Sequence, residues 1–571
     1  MPVKQSWCAS CSMSPQDAPS LRPSPRRARG SSNSTKRCSN GVEREESLDF
    51  CALDREHTMS ATTLPRDTNQ ALGIGQYAID FLQGGDPSAT VRSRTILFHT
   101  DSVLCGASAL ALGTNAPRIL REEALGYPRK KSGARVFGSR RTVAPEKAVV
   151  ANCAAVREWD SNGTNFGFNP SLGHTAGEFG HNDFYPVAIA AASIAGLGGA
   201  SALRGMIAID EIRGRLAEVF SLKTYKIDHV LHGAIASAAV YGAMLGATAE
   251  EIESAIGMVV AHYIPWRAIR AGKQLSDSKG ASAALSAEVA VLSMERAMRG
   301  FNGPRDIFRN PESMFRQFEK TKGNSPFDLV LGFSGDDFAV MGMHFKLGLY
   351  EHQSAGALQG LIDLIVAHPD LLSESARISA IRVTAYEPAF GIIGDPAKRD
   401  PRTRQSADHS MLYIVSTLLR KAIETREISS PESLPTTSDA WWMEIMLGPF
   451  DYSAEAINDT RTRELMAKVS FEHGGAEYDR RYPDGIPTSI TIEVKGRQPV
   501  ESGLIMYPAG HARNTTANLD AILAHKFQLL GRLGIKKPKR AIRELEQLEQ
   551  LSAKQIRSVY EFDLLDRGSF E

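Results

Sequence analysis

The chain has 571 residues, 42% of them hydrophobic and 23% charged, with a formal net charge of +1. That length and balance fit a soluble globular protein of about two to four domains, or one large helical body with an insert. The charge and the lack of a basic stripe with interleaved aromatics speak against nucleic acid, and the lack of a run of about 18 apolar residues speaks against a membrane span.

Residues 1–58 contain SLRPSPRRARGSSNSTKR and lack hydrophobic periodicity, so they read as a disordered tail. They suit a transit segment, against which the acidic EREESLDF counts, or a chain whose working start is Met59. The expected location is the cytoplasm, or the mitochondrial matrix if residues 1–58 are a transit segment. Four of the six cysteines, Cys8, Cys11, Cys38 and Cys51, fall in this tail. Cys8-x-x-Cys11 has no second pair at zinc-site spacing and reads as incidental thiols. Only Cys105 and Cys153 remain for the body, too few for a disulfide scaffold or an iron–sulfur site.

From Asn69 the chain reads as helices. ALGIGQYAIDFLQ has apolar residues at helical spacing, and 91–112 forms a second helix with small residues toward its end. Gly73-x-Gly75-x-x-Ala78 mimics a dinucleotide fingerprint but follows no strand. No G-x-S-x-G elbow or phosphate loop occurs.

The stretch 157–186, REWDSNGTNFGFNPSLGHTAGEFGHNDFYP, joins two Ala-rich segments expected to be buried helices. The first runs from Pro145 to about Glu158, with proline at its opening turn. The second begins at Pro186. Between them lie Asp160, Thr164, His174, Glu178, His181 and Asp183. Its plain reading is a mobile surface loop. A long polar loop between apolar helices is seldom only a connector, and here it is expected to set acid–base groups over a helix start, which attracts carboxylates.

Further helices follow at 202–220, 224–248 and 249–263. His229 and His232 are three apart; a hydrogen-bonding pair is the expectation, a metal pair the weaker one. Arg267, Arg270, Lys273 and Lys279 precede the helix GASAALSAEVAVLSMERAMRG and suggest either an anion site or a solvated basic turn. After about residue 340 the pattern changes. ISAIRVTAYEP (378–388) and PTSITIEVKG (487–496) alternate as strands do. The expected fold is thus mostly α: a helical domain of residues 59–344 completed by residues 501–571, with a smaller α/β unit at 345–500 inserted.

The stretches VREWDSNGT (156–164), EFGHND (178–183), KIDHV (226–230), DSKGASAA (277–284), YEHQSA (350–355), GDPAKRDPRTRQSADHSMLYI (394–414) and YPAGHARN (507–514) occur in an order that resembles the MmgE/PrpD family. The resemblance covers roughly residues 70–571 and is greatest to the 2-methylcitrate dehydratase members; relatives include cis-aconitate decarboxylase. It implies a large all-helical domain from the N-terminal part and the C-terminal tail, an α/β lid, a homodimer, and a site in the cleft between domains. It places active-site residues at Asp160, Thr164, His181, His229 and Lys279, with Glu351 and His352 on the lid side. His409 and the His511-Ala512-Arg513 run also match family motifs, with a structural role equally open. Sixteen residues separate Thr164 from His181, more than the family pattern implies, and Asn182 stands where proline is usual.

The implied activity is hydro-lyase chemistry on 2-methylcitrate, a step of the methylcitrate cycle of propionate catabolism. Such an elimination needs a base, an acid for the leaving oxygen, and cations for a tricarboxylate. Arg267, Arg270 and Lys279 are the expected substrate-binding cations, and His181 is expected to act in proton transfer. No metal and no cofactor is expected, because two body cysteines cannot hold a cluster. Another tricarboxylate lyase, such as a cis-aconitate decarboxylase, and a non-catalytic carboxylate-binding helical dimer are the alternatives.

Overall fold

A computed structural model describes residues 60–270 and 274–570. The tail of residues 1–58 with its four cysteines, and Lys273, lie outside the described residues.

The fold is mostly α, and its centre is the helix Val230–Met244. Its sequence, VLHGAIASAAVYGAM, is apolar all round, so it has no face to give to water and is buried along nearly its whole length. Helices Gln70–Gly84, Tyr185–Ala195, Gly199–Val219, Ala249–His262 and Asp277–Ala297 pack around it. Small residues set how closely they approach. A Cβ added to Gly233 would come within 2.1 Å of the Phe184 ring, so only glycine lets the central helix meet the end of the 157–186 stretch.

Local chemistry starts several of these helices where the sequence predicts. Pro145 opens Pro145–Glu158, and Tyr185–Ala195 has Pro186 in its first turn. Thr248 and Glu251 close a capping box: the Thr248 hydroxyl accepts from Glu251 N at 3.2 Å, and Glu251 accepts from Thr248 N at 2.9 Å. The expected helix at 224–248 is shorter, because residues 222–225 form a 3-10 turn and Lys226 takes a left-handed φ of 60° before Val230.

The tail returns to this body. Helix Leu519–Gly534 packs on Ala89–Ala111, and a Cβ on Gly534 would lie 2.6 Å from the Ala107 backbone. Between the two halves sits a four-stranded sheet, in spatial order Val469–His473, Ile378–Ala385, Thr488–Val494 and Val500–Glu501. Ile381, Val383, Ile490 and Ile492 face the core, as the alternation predicts. The parallel edge strand Val469–His473 and the pairing of Ala61–Leu64 with Leu329–Gly332 carry no comparable signal in the sequence. Among the described residues no single helix is long and apolar enough to cross a membrane.

Candidate active site

The two ends of the 157–186 stretch, about 157–167 and 177–186, are mostly buried, and only its tip around 170–175 reaches the surface. The sixteen residues between Thr164 and His181 fold back so that Thr164 pairs with His181 and Asn165 with Gly180 across a two-stranded ladder. Two residues far apart in the loop thereby become cross-strand neighbours. The Thr164 hydroxyl donates to the Gly180 carbonyl at 3.0 Å, and Asn162 Nδ2 donates to Asn182 Oδ1 at 3.2 Å and to Asp183 Oδ1 at 2.5 Å. Asp183 does not cap the following helix; it faces Arg157 at 3.8 Å, and burial raises its carboxyl.

One cleft collects Asp160, Thr164, His181, His229, Lys279, Glu351, Arg267 and Arg270. His352 is not on its wall. It stacks on His344 with ring centres 5.1 Å apart, beside Phe166, and neither of its nitrogens has a hydrogen-bond partner among the described residues. His511 and Arg513 line a second cavity that shares Phe166 as a wall; Arg513 is paired with Asp484. His409, in contrast, lies in the cleft.

Asp160 is the hub. One carboxylate oxygen accepts from Arg157 at 2.6 Å and from the Lys346 ammonium. The other lies 3.0 Å from His409 Nε2 and 3.4 Å from Lys279 Nζ. Burial opposes its ionisation, but the charges of Arg157, Lys346 and Lys279 hold it well below the usual carboxylate range. Lys279 is fully enclosed: it also lies 3.6 Å from Asp408 and 3.2 Å from His409 Nδ1, and burial brings its ammonium down to about 8. Asp160, Asp408 and His409 hold ligand atoms within 4.8 Å of one another, a spacing that suits a metal ion. Lys279 and Lys346 already put positive charge against these donors, which disfavours a metal cation there. Among the described residues the cysteines are Cys105 and Cys153, both buried.

The histidines are wired differently. The His181 and His229 rings lie 5.2 Å apart, and burial drives both well below the ordinary histidine range, so both are neutral. Arg157 lies 3.3 Å from His181 Nε2, where it can only donate, so the imidazole proton belongs on Nδ1, which has no partner among the described residues. His229 Nδ1 is 3.3 Å from Asp228 Oδ1, near but not aligned for a hydrogen bond, and its Nε2 has no partner among the described residues. The carboxylate favours the proton on Nδ1 and leaves a lone pair on Nε2. His229 and His232 do not form the expected hydrogen-bonding pair: both rings are buried with no hydrogen-bond partner among the described residues. Burial opposes the ionisation of Asp228, but Arg270, which grips both oxygens, together with its other neighbours holds it low. Burial raises the carboxyl of Glu351, and its oxygen accepts from Gln353 N at 2.8 Å.

Several site residues escape sequence reasoning. Arg157 and Asp408 stand within family-like stretches, three residues before Asp160 and next to His409. Lys398 and Phe179 also stand within such stretches, 394–414 and 178–183, whereas Lys346, Leu275 and Phe166 have no such flag. Phe166 and Phe179, from the two ends of the loop between Thr164 and His181, pack edge to face at 5.6 Å and form an apolar part of the wall. Below the hub, buried Lys526 of the tail helix pairs with Asp101 at 2.7 Å. It also donates at 2.8 Å to the carbonyls of Ser161 and Lys346, pinning both backbones that carry the Asp160–Lys346 pair.

Residues 76–326 match the family model described as the MmgE/PrpD N-terminal domain. A 2-methylcitrate dehydratase of Escherichia coli O157:H7 is 24% identical over 57% of this chain and 62% of its own length. The match thus spans less than two thirds of that relative. A 2-methylcitrate dehydratase of Salmonella typhi is 24% identical over 70% of this chain and 77% of its own. An alkylcitrate dehydratase of a fungal species is 24% identical over 53% and 56%.

Proposed function

From the MmgE/PrpD N-terminal domain that residues 76–326 carry, we propose that this chain is a hydro-lyase that removes water from 2-methylcitrate to give 2-methyl-cis-aconitate. The observation that carries the reading is the pair of neutral histidines, with unpartnered nitrogens in a cleft rich in cations. The named relatives supply the substrate.

In this reading His229 Nε2 takes the proton from the carbon next to a carboxylate. The electrons of that C–H bond form the new double bond, and the C–O bond to the neighbouring hydroxyl breaks with its pair on oxygen. Glu351, whose carboxyl burial raises, acts as the acid that delivers a proton to that oxygen, and water leaves. His181 offers its Nδ1–H to the charge that builds on the carboxylate as the α-proton departs. Asp160 and its cations fix Arg157, and through it the tautomer of His181. No cluster is needed for these steps. The homodimer and the lid role of the α/β segment rest on the family resemblance alone.

The test is to incubate the purified protein with 2-methylcitrate, citrate and cis-aconitate. The ultraviolet absorbance of an unsaturated product from 2-methylcitrate is the expected result. Carbon dioxide released from cis-aconitate would replace this reading with a decarboxylase. Silence on all three would point to a binding protein.

A further inference from the structure

The cations around the cleft divide into those already paired and those not. Arg157 and Lys279 share Asp160, and Arg270 is held by Asp228. Arg267 and Lys398 also line the cleft, and among the described residues no hydrogen bond or ion pair reaches either side chain. Both are half-buried. A charge withdrawn from water without a partner is unfavourable and calls for an opposite charge to meet it.

The two come from separate parts of the chain. Arg267 opens the 3-10 turn Arg267–Arg270 of the helical body, and Lys398 ends the 3-10 turn Pro396–Lys398 after strand Ile378–Ala385. The flanking segments are stitched together. Gln274 Nε2 donates to the Asp400 carbonyl at 3.1 Å, Arg402 N donates to Gln274 Oε1 at 2.9 Å, and Leu275 N donates to Ser406 Oγ at 2.8 Å. The two free cations are thus held as walls of one cleft by backbone that is already docked. Burial is the largest effect on both and lowers them; Arg270 adds to it at Arg267 against Asp228 and Glu178, while at Lys398 the carboxyls of Glu351, Asp395 and Asp408 offset part of it, none of them in hydrogen-bonded contact.

We propose that Arg267 and Lys398 form a carboxylate clamp that selects ligands with at least two carboxylates, one for each cation. The proposal deepens the reading of the cleft as a carboxylic-acid lyase site, and it gives Lys398 a binding role. Arg267 suits a bidentate grip on one carboxylate, and Lys398 acts as a point charge on the other. A monocarboxylate would leave one cation unmet, so discrimination by carboxylate number follows directly.

Calorimetry with glutarate and butyrate tests the clamp without any turnover. The folded wild type should bind glutarate well above butyrate. Lys398→Met should weaken glutarate on the order of thirtyfold and butyrate by far less, with Arg267→Met behaving alike and Lys398→Arg restoring most of the loss. Lys398→Gln repeats the test should the methionine variant misfold by circular dichroism. Unchanged glutarate affinity in folded Lys398→Met, or an equal loss for both ligands, would overturn the clamp. A wild type that prefers glutarate yet transforms no tricarboxylate would refute the dehydratase reading and leave the clamp standing.

Discussion

On one side of the cleft, Asp160, Arg157, Lys279, Lys346, Asp408 and His409 pair with one another within a few ångströms. On the other side, His229 Nε2 has no partner and Arg267 and Lys398 have no ion pair among the described residues. The first side is complete before any ligand arrives; the second is left unsatisfied. Buried polar groups are normally paired, so unmet groups gathered at one cleft mark where a ligand completes the bonding. The contrast separates groups that hold the site from groups that act on what enters it.

The largest effect should come from breaking the paired side. Asp160→Asn leaves Arg157, Lys346 and Lys279 without their shared anion. Loss of one partner of a buried ion pair costs about 3–5 kcal/mol, so the urea midpoint should fall steeply and turnover should collapse with it. An Asp160→Asn protein as stable as the wild type would show that the hub is not structural. On the unsatisfied side, His229→Gln should keep stability and lower kcat by about 10²–10⁴-fold. His181→Ala should lower kcat on the order of a hundredfold with little change in KM. A well-folded His181→Ala protein that turns over near the normal rate would remove the 157–186 stretch from the chemistry.

A smaller effect follows from pH. Burial lowers His99, His232 and His511 to about 3 and His229, His344 and His352 well below the ordinary range. Below about 6.5 the unfolded chain takes up protons at these positions and the folded chain does not. Stability is therefore full above that pH and lost as pH falls toward 3, by up to about 1.4 kcal/mol per pH unit for each group. Glu178, raised to about 7 by burial, and the carboxyls of Asp101, Asp183, Asp210, Glu211 and Glu351, raised for the same reason, pull the other way, while Asp160, Asp228 and Asp408, held low by neighbouring charges, add to the histidines. Urea midpoints at a series of pH values read the slope; a midpoint that stays level from neutral to acid would contradict it. The smallest effect is expected for metal removal. Chelators, and Cys105→Ser with Cys153→Ser, should leave kcat within about twofold, as fits a site whose donors already face lysines. Strong chelator inhibition would reopen Asp160, Asp408 and His409 as ligands.

The helices were legible because their signals are local. Apolar spacing, Pro145 at a first turn and the Thr248–Glu251 box act within one or two turns, and the residues involved stand side by side in the sequence. The strands at 378–385 and 488–494 were legible for the same reason, since alternation is a short-range pattern. Thr164, His181, His229, Lys279 and Glu351 were visible through motif resemblance, which also brought in His352, a residue that lies off the cleft wall.

What the sequence by itself determined was therefore the mostly helical class, the place of the inserted strands, and the set of polar stretches from which a site would be drawn. Tertiary structure alone decided how those groups are paired. Lys346 reaches Asp160 across 186 residues, and Lys526 reaches the Ser161 carbonyl across 365. Nothing around a lone lysine in the sequence tells whether it will meet an anion, a carbonyl or an open cleft. That outcome depends on which backbones the packed core brings together, and the core is assembled from contacts far apart in the chain. The same lysine chemistry thus became a buried partner at Lys279 and Lys346, a backbone pin at Lys526 and an unmet charge at Lys398.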